Sequence, residues 1–128
     1  MRPPLTWQYG LTTVPARIDT TLPRTLKSLE IGGFPKPRLF VDGCTPQQAL
    51  VYHNRFGCDV TPRNPVTCVV VNWWLSLVEL YGRNPRADRY AIFQDDFVTY
   101  RNLRTYLEKC VYPERGYWNL YTAFAINE

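Results

Sequence analysis

Short apolar runs alternate along this chain with segments in which apolar residues recur at helical spacing. That alternation predicts strands joined by helices, and so a mostly parallel sheet. The first strand is expected over 6–13, stopped by Pro15. A helix over about 21–31 follows, capped by Thr20 or Thr21, admitting Pro23 in its first turn and ended by Gly32-Gly33. Leu22, Leu26 and Leu29 share one face of it. A second strand is expected over 38–41, ending at Asp42-Gly43, then a helix near 47–56 and a short strand near 58–61.

Asn64-Pro65 is expected to cap the longest helix, which ends at Gly82. Its stripe runs from Val66, Val69 and Val70 through Trp73, Trp74 and Leu77 to Leu80 and Tyr81, so both tryptophans are expected to pack in the core. A fourth strand over 89–94, a helix near 102–110 with Leu103, Leu107 and Cys110 on one face, and a last strand over 118–122 complete the pattern. The expected fold class is α/β: a three-layer α/β/α sandwich around a mostly parallel, Rossmann-like sheet, with residues 1–128 forming one domain.

Right-handed crossovers wind such a sheet outward until the chain reverses. If the fourth strand returns beside the first, their junction is a switch point, where ligands bind at the carboxyl ends of strands. The residues there are Thr13 to Arg17, Asp42, and Asp95-Asp96. Adjacent carboxylates repel unless a cation or hydrogen-bond donors compensate. Because successive strand side chains point to opposite faces, the two carboxylates can take different tasks. One reading gives them Mg²⁺ or Mn²⁺, which bind one or two carboxylates together with phosphate oxygens and water. The other makes either aspartate the start of a turn.

Composition narrows the class. Hydrophobic residues make up 45% of the 128 and aromatic residues 15%, enough to drive folding. The net charge is +4 and twelve of the fifteen basic residues are arginine, whose planar fork suits phosphate oxygens. These cations are scattered and form no basic stripe, which does not favour a nucleic-acid partner. No apolar run reaches the roughly eighteen residues of a membrane span, and no signal peptide follows Met1, so a cytoplasmic location is expected. Cys44, Cys58, Cys68 and Cys110 form no CxxC pair and have only His53 beside them, so neither a zinc cluster nor a disulfide framework is expected. Arg83, Arg86 and Arg89 read as cations beside a helix end, and His53 as a surface helix residue.

Residues 13–17 (Thr-Val-Pro-Ala-Arg), Leu22 with 25–29 (Thr-Leu-Lys-Ser-Leu), 39–43 (Leu-Phe-Val-Asp-Gly) and 92–96 (Ile-Phe-Gln-Asp-Asp) come in an order that resembles the nucleotide-binding half of GT-A glycosyltransferases, the family-2-like enzymes in particular. The resemblance spans roughly residues 8–122. It implies a metal-dependent transferase moving a sugar from a nucleoside-diphosphate sugar, UDP- or GDP-linked, to an acceptor that the sequence does not identify.

By position, the resemblance makes Asp96 the metal ligand, assisted by Asp95, which also lies near the ribose or donor sugar. Asp42 contacts the base or ribose, and the turn of Thr13, Val14, Pro15 and Arg17 wraps the nucleotide. Arg17 is equally read as a solvent-facing helix entrance, and Asn72, near the nucleotide in some relatives, as a plain polar residue. Gln94 stands where relatives often carry an acid. The portion that holds the acceptor site and catalytic base in that family has little counterpart after residue 122, and Glu128 receives no role. Trp118 and Tyr121 are aromatic strand formers that an acceptor ring can also stack on. The alternative reading is a non-catalytic nucleotide- or nucleotide-sugar-binding module completed by a partner. A homo-oligomer is compatible with either.

Overall fold

In the computed structural model, residues 4–110 are described. Strand β1 (Trp7–Thr13) leads through a single 3₁₀ turn (Pro15–Arg17) into helix α1 (Thr21–Gly32). Then come β2 (Arg38–Asp42), α2 (Pro46–Phe56), β3 (Val60–Arg63), α3 (Val69–Arg83), β4 (Arg89–Gln94) and α4 (Leu103–Lys109). The four strands form one sheet in the order β3-β2-β1-β4, and every pairing is parallel. Leu11 stands level with Leu39 on one side and Phe93 on the other. The fourth strand does return beside the first, which places the switch point between β1 and β4.

Local chemistry explains most boundaries. Thr45 and Gln48 form a reciprocal capping box at the start of α2. Gly33, at φ 101°, ends α1 in the left-handed conformation while Phe34 donates its N–H back to Leu29. Thr20 takes the N-cap position of α1, but neither it nor Thr21 caps through its side chain. Strand β3 sits two residues later than expected and contains Pro62, a residue tolerated because β3 is an edge strand.

Two faces of the sheet meet different helices. Leu11, Leu39, Val41 and Phe93 join Leu22 and Leu29 of α1, Ala49 and Tyr52 of α2, and Leu107 of α4 in one buried cluster. Alternation along the strands sends Phe40, Thr61 and Arg63 the other way, toward α3. There Asn72 Nδ2 donates to the Phe40 carbonyl at 3.1 Å, and Thr61 Oγ1 donates to Glu79 at 2.7 Å. Gly10 is required on this face: a Cβ there would lie 2.3 Å from the Phe40 ring.

Helix α3 differs from expectation in two ways. It begins at Val69, because residues 64–68 run outside it and Asp42 captures the Thr67 backbone N–H at 2.7 Å. Its apolar stripe also faces outward. Asn72, Ser76 and Leu80 are its buried residues, whereas Val70 is 72% exposed and Trp74 58% exposed. The sheet offers α3 a carbonyl and two polar side chains, so amide and hydroxyl groups seal that contact. No described helix is long and apolar enough to cross a membrane. All four cysteines are free thiols, and burial pushes the Cys58 thiol up to about 11. The expected strand over 118–122, with Trp118, Tyr121 and Glu128, lies outside the described residues.

Candidate functional site

At the switch point, β1 ends in Thr13 and β4 runs into Asp95. Alternation turns both side chains to the α1 side of the sheet, where they meet. Thr13 Oγ1 donates to Asp95 Oδ2 at 2.6 Å, and Arg17 Nη1 donates to Asp95 Oδ1 at 2.6 Å. Asp95 is buried, so its charge is balanced where water hardly reaches. The hydrogen bond and charge of Asp95 raise the Arg17 pKa, which keeps the guanidinium cationic at any working pH.

Asp96 takes the opposite environment. Its side chain is 50% exposed, with Oδ2 3.7 Å from Arg17 Nη1. Arg17 is itself 44% exposed, so a guanidinium anchored on Asp95 and the half-exposed carboxylate of Asp96 stand side by side at the sheet's carboxyl edge. The two aspartates have divided their tasks: one anchors the loop and the other faces solvent.

Helix α1 holds this edge in place. Thr25 Oγ1 lies 3.0 Å from the Asp95 carbonyl and 2.8 Å from the Phe97 carbonyl. Ser28 accepts the Thr99 N–H at 3.1 Å, while its carbonyl accepts from Thr99 Oγ1 at 3.0 Å. Sequence reasoning singled out neither Thr25 nor Ser28 for the site. The available signal was two hydroxyl residues three apart on the α1 face that carries Leu22 and Leu29.

The other expected site residues divide. Val14 and Pro15 lie in the turn between Thr13 and Arg17, and Gln94 is exposed at the end of β4, next to Asp95. Asp42 points to the α3 side of the sheet, where its Oδ1 accepts from both the backbone N–H and the hydroxyl of Thr67, at 2.7 and 2.9 Å. Asn72 is buried between the Phe40 carbonyl and Arg63, whose Nε donates to its Oδ1 at 2.7 Å. Arg63 also reaches Ser76 Oγ at 3.3 Å and lies over the Phe40 ring. Among the described residues, the hydrogen bonds of Asp42 and Asn72 do not connect to the Asp95 group. They build a second polar cluster, with Arg63 and Thr67 as members that sequence reasoning missed.

As a donor set for a divalent ion, the edge offers one half-exposed carboxylate, Asp96, which already pairs with Arg17 at 3.7 Å. Both Asp95 oxygens already accept short hydrogen bonds, so Asp96 is the residue able to reach a cation. Among the described residues, no three or more His, Cys, Asp or Glu side chains gather into a metal cluster. Two grooves of the described surface lie elsewhere: one of about 340 Å³ between α3 and Tyr90, and one of about 220 Å³ near Arg38, Leu50 and His53. No family model, curated protein or solved structure matches the chain.

Proposed function

We propose that the chain binds a nucleoside-diphosphate sugar, UDP- or GDP-linked, at the β1/β4 switch point and transfers the sugar to an acceptor hydroxyl with the help of Mg²⁺ or Mn²⁺. In this reading the sheet belongs to a three-layer α/β/α, GT-A-type domain working in the cytoplasm. The observation that carries it is the split between the two aspartates: Asp95 clamped by Thr13 and Arg17, Asp96 projecting beside them.

Each group then has a task it is placed to perform. Asp96 would hold the cation, and a bound divalent ion neutralises the charge of a departing diphosphate. Arg17, held on Asp95, presents its remaining donors toward phosphate oxygens at the same edge. Thr13 and Thr25 keep Asp95 and its backbone from moving as the ligand binds. Pre-fixing these groups spares the ligand the cost of ordering them.

Binding to the folded state raises the melting temperature by linkage. A panel of nucleotide sugars with and without Mn²⁺ is expected to give a metal-dependent rise for one donor. Asp96→Asn is expected to abolish the metal-dependent part while the basal melting temperature holds. An Asp96→Asn protein with the same Mn²⁺-dependent rise as the parent would overturn the assignment. Transfer of labelled sugar separates the enzyme from the second reading: binding without turnover marks a nucleotide-sugar-binding module completed by a partner. That reading draws on Asp96 being the one half-exposed carboxylate beside Arg17 at the described edge.

A further inference from the structure

Helix α3 meets the sheet through Asn72, Ser76 and Leu80, which leaves the opposite side of the helix to solvent. Along that side stand Val71, Trp74, Val78 and Tyr81, all exposed. Their spacing of three, four and three residues is the a/d period of a helix that packs against another helix. Leu75 and Leu77 flank the stripe. The two charged residues of α3, Glu79 and Arg83, pair with each other at 2.9 Å, and Glu79 also accepts from Thr61 of β3. A surface helix ordinarily gives its outer face to polar residues. Here that face is an uncharged apolar seam, and such a patch marks a contact surface.

The order of side-chain sizes along the seam says what fits it. Valine, tryptophan, valine and tyrosine alternate small with large. Two copies of α3 laid parallel would set tryptophan against tryptophan and tyrosine against tyrosine. Laid antiparallel, about a two-fold axis midway between Trp74 and Val78, they set Trp74 against the partner's Val78 and Tyr81 against the partner's Val71. Each large side chain then meets a small one, which lets the layers interdigitate. The groove of about 340 Å³ formed by Trp74, Leu77, Val78, Tyr81 and Tyr90 lies beside Val78, where this register brings the partner's Trp74. At roughly 100 Å² for each side chain, the stripe and its flanks present on the order of 600 Å². Each partner in a standard interface buries about 800 Å², so the seam with its rim suits a pair held in the micromolar range.

We propose that the outer face of α3 is a homodimer interface, in which the helix packs antiparallel on α3 of a second copy and Trp74 is seated against the partner's Val78. An uncharged seam offers no handle for a partner recognised by charge, whereas its alternation of sizes complements itself. The inference stands apart from the donor-site reading: neither the seam nor the groove includes Asp95 or Asp96, so pairing and metal-dependent ligand binding can fail separately.

Sedimentation of the full chain tests it. The mass is expected to rise from one chain to two as concentration increases through the micromolar range. Val78→Glu and Trp74→Arg each change an exposed residue, and each alone is expected to weaken association at least about tenfold while circular dichroism shows the fold kept. An equal mixture of the two variants is expected to associate again, because the antiparallel register sets the new carboxylate opposite the new guanidinium. A parent chain that stays monomeric would sink the proposal, as would a dimer that survives both single substitutions. A mixture no more associated than either variant alone would rule out the antiparallel register.

Discussion

On the face that meets α1, α2 and α4, Leu11, Leu22, Leu29, Leu39 and Val41 are completely buried. On the face that meets α3, the sealing residues are Asn72, Ser76 and Leu80, and the helix turns valines and tryptophan outward. The first face is held by dry packing. The second is held by specific polar contacts, with Asn72 bonded to both the Phe40 carbonyl and Arg63. Apolar burial is non-directional and roughly proportional to area, whereas a buried polar group is costly unless its partner stands in the right place. One face can therefore tolerate reshaping of similar volume, and the other depends on a few named atoms. The candidate site takes its clamp from the first face, through Thr13, Thr25 and Asp95, while Asp42 belongs to the second.

The contrast can be broken by mutation. Leu11→Ala should lower stability most, by about 3 kcal/mol in urea unfolding, through lost transfer energy and the cavity left behind. Val70→Ala on the outward face of α3 is its control and should stay within about 0.5 kcal/mol. Equal losses in the two variants would mean that the faces do not differ. Asn72→Ala should come next, at about 2 kcal/mol, because it strips the Phe40 carbonyl and Arg63 of their partner. A neutral result there would remove polar contacts as the seal of the α3 face.

The smallest expected effect sharpens the same comparison through pH. Burial works against the Glu79 charge, but hydrogen bonds from Thr61 and Arg83 and the charges of Arg83 and Arg38 outweigh it and bring its pKa below 4.5. A depressed folded-state pKa adds stability above the unfolded value, and that stability fades as pH falls through the folded one. The parent should therefore exceed Glu79→Gln by less than about 1 kcal/mol at pH 7, given the group's partial exposure. The difference should shrink below pH 4.5. A gap that widens on acidification would contradict the depressed pKa.

Much of the architecture could be read from the chain. The Leu22, Leu26 and Leu29 spacing located α1, Gly33 its end, and the return of β4 beside β1 placed Thr13, Arg17 and Asp95 at one edge. These signals are local or follow from handedness rules, so sequence carries them directly. Arg63 and Thr67 were not readable. Their importance comes from partners nine and twenty-five residues away, and no spacing pattern links them.

Helical period recognised α3 as a helix, but it turned the wrong stripe to the sheet: Val69, Val70, Trp74 and Tyr81, expected in the core, are exposed, and Asn72 and Ser76 are buried with Leu80. That choice belongs to the surface opposite: where the sheet presents a carbonyl and an arginine, the helix must answer with an amide and a hydroxyl. The pair Asp95-Asp96 follows the same division. Adjacency in sequence determined that two carboxylates follow the end of β4. Only the folded neighbourhood, which brought Thr13 and Arg17 to one of them, decided which is the clamp and which is left to the solvent.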